Sequence, residues 1–276
     1  MTKWRTGFAV SDAERIYWEC AGTGVPVVIC HGAGSNHVSF YQQLAGLAGD
    51  DYQVLLWDQR GYGNSTRNSR LVDIRASAAD LDAVLADAGL SEAPAHLVGQ
   101  AMGGLVAGAW ALAHPGRTLT LALWDGPFGL SADGKSLVWT LEPDDRGLPG
   151  PLGERRVSRV RAIGQAFQDA YPVQAYLYQT IQELGTDRPS YRDSFPAAQS
   201  APIPLDGLRA LGVPILLGRG EHDHVVGDAA LSELAACLPE ATVVTLAGSG
   251  HSPYFEVPDA WNAAVRAHFT RAARRS

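Results

Sequence analysis

The sequence is poor in cysteine and has no long apolar run. Its cysteines are Cys20, Cys30 and Cys237, and so odd and sparse a set argues against a disulfide framework. No apolar stretch approaches the ~20 residues that a membrane-spanning helix needs, and the N-terminus lacks the apolar segment of a signal peptide. We therefore expect no membrane partner, and we expect the protein to reside in the cytoplasm.

Positive charge is scarce as well. The chain has 22 lysine and arginine residues against 29 aspartate and glutamate residues, which gives a formal net charge of -7. An acidic chain lacks the basic surface that binds nucleic acid, so no nucleic-acid partner is expected. What the sequence does contain is apolar bulk, since 46% of its 276 residues are hydrophobic. This is enough for a sizeable core in one α/β domain with an insertion.

Short apolar runs alternate with helix-like segments along most of the chain. The uninterrupted runs Val25–Cys30 and Tyr52–Trp57 are typical of strands covered on both faces, and amphipathic spacing over Asp73–Leu90 predicts a helix. Residues 14–20 are predicted to form a first strand on a hairpin whose turn is Ala21–Gly24. The alternation predicts an α/β fold with a mostly parallel sheet flanked by helices. Its later elements are predicted at Leu119–Trp124, Val213–Gly218, Ala229–Leu238, Thr242–Leu246 and Asp259–Arg271.

The alternation is interrupted between residues 128 and 206. This stretch has no apolar strand-like run, and it contains helix-like segments at Leu152–Tyr171 and Val173–Leu184. We predict that residues 128–206 form a helical cap over a core made of residues 1–127 and 207–276. Cap aromatics and one histidine from an early loop are predicted to line an apolar substrate pocket. These substrate-binding candidates are His37, Trp139, Phe167 and Tyr176.

One stretch, Gly99-Gln100-Ala101-Met102-Gly103, joins a short apolar strand to a helix that is apolar on every face. Such a helix is buried, and the glycines suit a turn in which the two backbones pass too close for a Cβ atom. The frame closely resembles the nucleophile elbow, Gly-x-Ser-x-Gly, of the α/β-hydrolases. The resemblance covers nearly the whole chain apart from the insertion. It implies the α/β-hydrolase fold, with Ala101 at the position of the nucleophilic serine.

The same resemblance implies the other parts of a serine-hydrolase site. His251 stands in the loop where the family keeps its catalytic base, and Asp223 resembles the acid that accepts the Nδ1–H of that histidine. Asp125 is a competing acid, because some members of the superfamily carry the acid there, but the residues around Asp223 match the family motif better. The backbone N–H groups of Ala33 and Met102 are expected to form the oxyanion hole.

No metal and no other cofactor is expected. His222 and His224 flank Asp223, but adjacent residues do not easily converge on one ion. Asp58 and Arg60 lie in a Gly-rich turn, where an Asp–Arg pair is predicted to brace the loops without taking part in chemistry. The composition leaves open whether copies of the chain associate into a homo-oligomer.

A methyl group cannot attack a carbonyl, so two accounts of Ala101 stay open. In the first, Ala101 replaces the serine of a parent hydrolase and inactivates it; the retained glycines, donors, base and acid favour this account. In the second, the alanine is natural, and the chain is a ligand-binding protein or a lyase with His251 as base. We predict a small-molecule substrate and hydrolysis of a small, largely apolar ester or lactone. The alternative hydrolase is one that cleaves a carbon–carbon bond in a ring-fission product.

Overall fold

The protein is described by a computed structural model that covers residues 4–66, 68, 73–126, 130–132, 135–137, 162–184, 203–226 and 228–272. The strands among these residues are β1 (Trp4–Ser11), β2 (Glu14–Ala21), β3 (Val25–Cys30), β4 (Tyr52–Trp57), β5 (Ala95–Gln100), β6 (Thr118–Trp124), β7 (Leu130–Ala132), β8 (Lys135–Leu137), β9 (Ile203–Pro204), β10 (Ile215–Gly220) and β11 (Thr242–Leu246). The helices are α1 (Tyr41–Leu47), α2 (Ile74–Asp87), α3 (Met102–Ala113), α4 (Gln165–Ala170), α5 (Pro172–Gln182), α6 (Leu205–Ala210), α7 (Asp228–Cys237), α8 (Pro253–Glu256) and α9 (Pro258–Phe269). Among these described helices, none combines the length and the apolar composition of a membrane span.

Eight of the described strands form one sheet in the order β1-β2-β4-β3-β5-β6-β10-β11. β2 is antiparallel to β1 and β4, and all other neighbours are parallel. Because the carboxyl ends of parallel strands share one edge, the loops after β3, β5, β6, β10 and β11 all begin at that edge. The α/β fold with a mostly parallel sheet that the sequence predicts is confirmed.

The two faces of the sheet explain the continuous apolar runs of its central strands β3 and β4. In β4, Leu55 and Trp57 belong to one core cluster and Val54 and Leu56 to the other, and all four are fully buried. Successive residues of a strand point to opposite faces. Helices α2, α3, α6 and α7 complete the first cluster, and α1, α5, α8 and α9 complete the second. Burial of one such aliphatic side chain contributes about 1.5–3 kcal/mol.

The N-terminal hairpin differs from the sequence prediction. β2 covers the predicted strand, but it pairs with β1 and β4, and the connection at Ala21–Gly24 leads to β3, which is not its neighbour. The hairpin turn is Asp12–Ala13, with φ of 47° and 65°, the left-handed conformations of a two-residue turn. Neither residue is the glycine or asparagine that usually marks such a turn. The sequence of β1 does not have the apolar pattern of a buried strand, and its large apolar residues Trp4, Phe8 and Val10 are exposed.

The stretch between β6 and α6 contains short strands that the sequence does not predict. β7, β8 and β9 form a three-stranded sheet, and pairings of two or three residues are too short to show an alternation. α5 matches the helix predicted at Val173–Leu184. Of the helix predicted at Leu152–Tyr171, α4 is the part that is described, and Trp139 lies outside the described residues. The helical cap over residues 128–206 stays a prediction.

Candidate active site

The turn between β5 and α3 has a strained backbone at Ala101. This residue has φ 47° and ψ -120°, a conformation that costs a non-glycine residue about 1–3 kcal/mol. A Cβ atom on Gly103 would lie 2.1 Å from the carbonyl oxygen of Cys30, and one on Gly99 would lie 2.4 Å from the Cα atom of Gly104. Only glycine fits at those two positions. The turn therefore has the tight strand-to-helix geometry of an elbow, with Ala101 between the two elements.

Two further loops lie against Ala101. A Cβ atom on Gly32, in the loop after β3, would lie 3.2 Å from the Cβ atom of Ala101. One on Gly126, after β6, would lie 2.7 Å from its Cα atom. The backbone N–H of Ala101 donates to the carbonyl oxygen of Trp124 at 2.8 Å. Ala101 is 8% exposed, so these loops leave a small part of it open to solvent.

The loops after β10 and β11 bring Asp223 and His251 together. His251 Nδ1 and Asp223 Oδ2 are 3.0 Å apart, and both side chains are buried. Asp223 Oδ1 accepts the backbone N–H groups of Val225 and Val226 at 2.8 and 3.0 Å, which fixes the carboxylate. With Nδ1–H donating to Asp223, the Nε2 atom of His251 is left as the proton acceptor of the ring.

The His251 loop is also attached to the elbow. The side-chain amide of Gln100, next to Ala101, donates to the carbonyl oxygen of His251 at 2.9 Å. By contrast, His222 and His224 are exposed, and His222 Nε2 lies 3.7 Å from the carboxylate of the neighbouring glutamate. The structure therefore brings the elbow and the His251 loop together and leaves the two flanking histidines at the surface.

Asp125 ends β6 close to the Asp223–His251 pair. Its Oδ1 accepts the backbone N–H of Gly220 at 2.8 Å, and side-chain polar atoms of Asp125, Asp223 and His251 lie within 4.8 Å of one another. The histidine bonds Asp223, so the geometry favours Asp223 of the two candidate acids. Burial, followed by the negative charge of Asp223, raises the pKa of Asp125 well above its usual value.

A buried carboxylate that the sequence reasoning does not single out, Glu256, anchors the His251 loop. Its oxygens accept backbone N–H groups of Gly250 at 2.9 Å, Ser252 at 3.2 Å and Gly164 at 2.8 Å. These bonds tie both sides of His251 to the segment that begins α4. Burial raises the pKa of Glu256, and the N–H bonds partly offset that shift. The sequence offers one signal for this role, since Glu256 is the single charged residue in the otherwise apolar α8. A charge that is buried there must have hydrogen-bonding partners.

Ala33 and Met102 lie on two segments that meet at Ala101. Ala33 is in a turn closed by the Ser35 N–H, which donates to the Gly32 carbonyl oxygen at 3.2 Å, and Met102 is the first residue of α3. Neither the Ala33 nor the Met102 backbone N–H donates to an acceptor among the described residues. An oxyanion hole needs donors of this kind, and their role in one stays a prediction.

The described pocket candidates lie in different surroundings. His37 is buried, and its Nδ1 lies 2.8 Å from both carboxylate oxygens of Asp58. Phe167, in α4, has its ring centroid 6.1 Å from that of Phe255, whereas Tyr176, in α5, is 59% exposed. Their contribution to substrate binding stays a prediction.

Comparisons with known proteins match this chain along most of its length. Residues 25–258 match the model of a family described as the alpha/beta hydrolase fold. A pimeloyl-acyl-carrier-protein methyl ester esterase from Chromobacterium violaceum is 28% identical over 260 residues, which cover 87% of this chain and 92% of the esterase. A 2-hydroxy-6-oxononadienedioate/2-hydroxy-6-oxononatrienedioate hydrolase from Pseudomonas putida is 28% identical over 266 residues, which cover 91% of this chain and 90% of that protein.

A solved structure agrees with these matches. The thermophilic esterase from Thermogutta terrifontis superposes with a TM-score of 0.78 at 23% identity, over 97% of this chain and 99% of the esterase. At that identity the likeness shows the shared fold. Both of the relatives described above have the names of hydrolytic enzymes, one an esterase and the other a hydrolase. The chain therefore belongs to the α/β hydrolase fold family.

Proposed function

We propose that the chain is the scaffold of a serine-type hydrolase for a small, largely apolar ester or lactone, inactivated at the nucleophile position by Ala101. The observation that carries the proposal is the strained backbone of Ala101 beside the loops of the His251–Asp223 pair. Backbone strain clusters at functional sites. The methyl group of alanine has no chemical function there, so the strain favours a reactive side chain at this position in the parent protein. The relative from Chromobacterium violaceum, named as a methyl ester esterase, supports ester chemistry.

The chemistry is that of the serine form, Ala101→Ser. His251 Nε2 takes the proton of the serine hydroxyl as the hydroxyl oxygen attacks the substrate carbonyl, and Asp223 stabilises the imidazolium that forms. The Ala33 and Met102 N–H groups hold the oxyanion. The imidazolium then gives its proton to the departing alkoxide. Water attacks the acyl-enzyme with His251 again as base, which releases the acid and restores the serine.

The chain with Ala101 has no oxygen to begin this sequence. We expect it to bind substrate, because alanine adds no bulk and leaves no charge unpaired. Loss of the nucleophile costs a triad enzyme about 10⁶-fold in kcat. The remaining hydrogen-bond donors and binding contacts should still accelerate the reaction about 10³–10⁴-fold over its rate in water.

The test is Ala101→Ser, assayed against esters, lactones and ring-fission dienones and treated with a serine-directed phosphonate. We expect turnover and one phosphonate adduct by mass spectrometry, both abolished by adding His251→Ala. Ala101→Gly is the matched control, since it changes the same residue without supplying a hydroxyl. A folded Ala101→Ser variant with neither turnover nor adduct would show that the proposal is wrong. His251→Ala in the unmodified chain would then test a ligand-binding protein or a lyase with His251 as base.

A carbon–carbon bond hydrolase is the second candidate. It is favoured by the relative from Pseudomonas putida, a dienedioate hydrolase that matches 91% of this chain. The same serine, histidine and aspartate would act, so the ring-fission dienones in the substrate panel separate the two candidates. Turnover of the dienones with no turnover of esters or lactones would establish the second candidate in place of the first.

A further inference from the structure

Three buried carboxyl groups lie around His251, and they differ in the hydrogen bonds that they accept. Glu256 accepts three backbone N–H groups. Asp223 accepts two backbone N–H groups and the His251 ring. Asp125 accepts one N–H, from Gly220, on Oδ1, and its buried Oδ2 receives no hydrogen bond from the described residues. A buried carboxylate oxygen without a donor is costly, so Asp125 differs from its two neighbours.

The surroundings of Asp125 do not favour a negative charge. It is 1% exposed, and leucine and valine side chains form most of the small cavity beside it. Arg219 borders the same cavity, but its guanidinium donates to two backbone carbonyl oxygens at 2.8 and 2.6 Å. Burial and then the charge of Asp223 raise the pKa of Asp125 well above its usual value. The titratable and charged groups that face Asp125 are Asp223, His251, Tyr254, Glu256 and Arg219.

We propose that Asp125 is a positioning residue that carries a proton on Oδ2 and donates it in a hydrogen bond to the carboxylate of Asp223. One side-chain polar atom of Asp125 lies within 4.8 Å of one of Asp223, and two ionised carboxylates that close together in a buried site would repel each other. A protonated carboxyl group has one O–H donor and keeps an acceptor oxygen. Oδ1 therefore still accepts the Gly220 N–H, and every oxygen of Asp125 is satisfied.

The proton has two consequences for the His251–Asp223 pair. It removes one negative charge from a buried cluster that holds a single imidazole. It also gives Asp223 a further donor, which fixes the carboxylate that orients His251. The catalytic part of this inference rests on the proposed function, because orientation of His251 matters when it acts as a base. The protonation itself does not, and it can be measured in the unmodified chain without substrate.

Infrared spectroscopy of the unmodified chain tests the proton. At neutral pH a protonated carboxyl group gives a C=O stretch that ionised carboxylates lack. Carbon-13 labelling of aspartate carboxyl groups shifts this band and leaves any glutamate band, such as one from Glu256, in place. We expect one label-sensitive band that disappears in Asp125→Asn and survives in the matched control Asp259→Asn, at an exposed residue. Absence of a label-sensitive band from the folded, unmodified chain would overturn the proposal.

Nitrogen NMR of the His251 ring at neutral pH gives a second measurement. Asp125→Asn replaces one neutral group by another of the same shape, so we expect the Nδ1 and Nε2 resonances to stay close to those of the unmodified chain. If Asp125 were ionised, the same variant would remove a negative charge from the cluster and move the ring resonances clearly away from those positions, which would overturn the proposal. If Asp125→Asn does not fold, the labelled infrared band decides. Neither measurement needs turnover, so failure of the hydrolase proposal would leave the result intact.

Discussion

Two histidine–aspartate pairs lie at the carboxyl edge of the same sheet, and at first sight they are alike. His251 Nδ1 lies 3.0 Å from Asp223, in the loops after β11 and β10. His37 Nδ1 lies 2.8 Å from Asp58, in the loops after β3 and β4. The side chains of histidine and aspartate are 9% and 0% exposed in the first pair and 8% and 0% in the second. The distance from the ring to the carboxylate and the burial of the side chains are therefore too similar to show which of the two histidines could act as a base.

The difference lies in what else each aspartate holds. Asp58 accepts the backbone N–H of His37 at 2.7 Å and that of Asn64 at 2.8 Å, so it joins two loops that are far apart in sequence. Asp223 accepts backbone N–H groups only two and three residues ahead, in its own turn. Its second oxygen serves His251, whose loop is bonded to the elbow. We infer that Asp58 stabilises the fold at this edge and that Asp223 serves to orient the His251 ring.

The largest expected effect is loss of turnover in Asp223→Asn, made in the Ala101→Ser background. The asparagine amide donates to Nδ1 and so selects the wrong tautomer of His251. A drop of about 10⁴-fold in kcat is expected by comparison with the same change in a serine protease triad. The measurement is kcat together with the midpoint of thermal unfolding, which should change little. Activity within tenfold of the parent would show that Asp223 is not the acid.

Asp58→Asn should affect the fold instead. Its amide group would face backbone or ring donors, and it would leave at least one of them without an acceptor. The expected loss is about 3–5 kcal/mol in the free energy of unfolding, measured by urea titration. If Asp58→Asn left stability unchanged and abolished turnover in the Ala101→Ser background, the division of roles between the two pairs would be reversed.

A third arrangement, buried histidines without an aspartate, sharpens the comparison at the opposite edge of the sheet. His96 and His268 have pKa values lowered to about 4 by burial, and the neighbouring His268 contributes to the lowered pKa of His96 because the two rings would repel if both were protonated. Both are neutral in the fold, so stability is complete above the unfolded pKa near ~6.5 and is lost as the pH falls toward about 4. The loss should be on the order of 2–3 kcal/mol per histidine.

Urea titrations between pH 7 and pH 4 measure this loss, and His268→Phe should reduce the dependence of stability on pH. The matched control is His222→Phe. Because His222 is exposed, this substitution should leave the slope of unfolding free energy against pH unchanged. A slope in His268→Phe equal to that of the unmodified chain would rule out His268 as a source of acid sensitivity.

The smallest effect is expected for the two histidines that flank Asp223. His222 and His224 are exposed, and surface substitutions of this kind usually change stability by less than about 0.5 kcal/mol. His222→Ala and His224→Ala should therefore match the parent in urea titration and, in the Ala101→Ser background, in kcat. A tenfold change in kcat for either variant would contradict the view that only Asp223 of this triplet serves the site.

The sequence predicts the parallel core well because each core strand is apolar on both faces. Val25–Cys30 and Tyr52–Trp57 are strands with the predicted bounds, since a continuous apolar run is what two-sided burial requires. β1 is different, because its exposed residues and its Asp12–Ala13 turn lack the usual signals. Burial pattern identifies strands that form the core, and it says little about an edge strand.

Site residues on single loops are easier to predict than bonds between loops. The glycines around Ala101 and the loop position of His251 are evident from local motifs. By contrast, the sequence predicts that Asp58 and Arg60 brace the loops, but it does not predict their partners: Asp58 bonds His37, and Arg60 Nε donates to Asp80 at 2.7 Å. These partners are 20 or more residues apart in sequence, and only the folded chain brings them together.

The Glu256 carboxylate has a consequence for motion at this edge of the sheet. Because it bonds the amides of both Gly164 and Gly250, the segment before α4 cannot lift without removing a donor from a buried anion, at a cost of about 1–3 kcal/mol. We therefore expect the two amides to exchange hydrogen with solvent at similar rates, as one cooperative unit. When this unit opens, the loop that holds His251 would also lose hydrogen bonds to Glu256. Water that enters would then find the His251 ring displaced from its position beside Asp223.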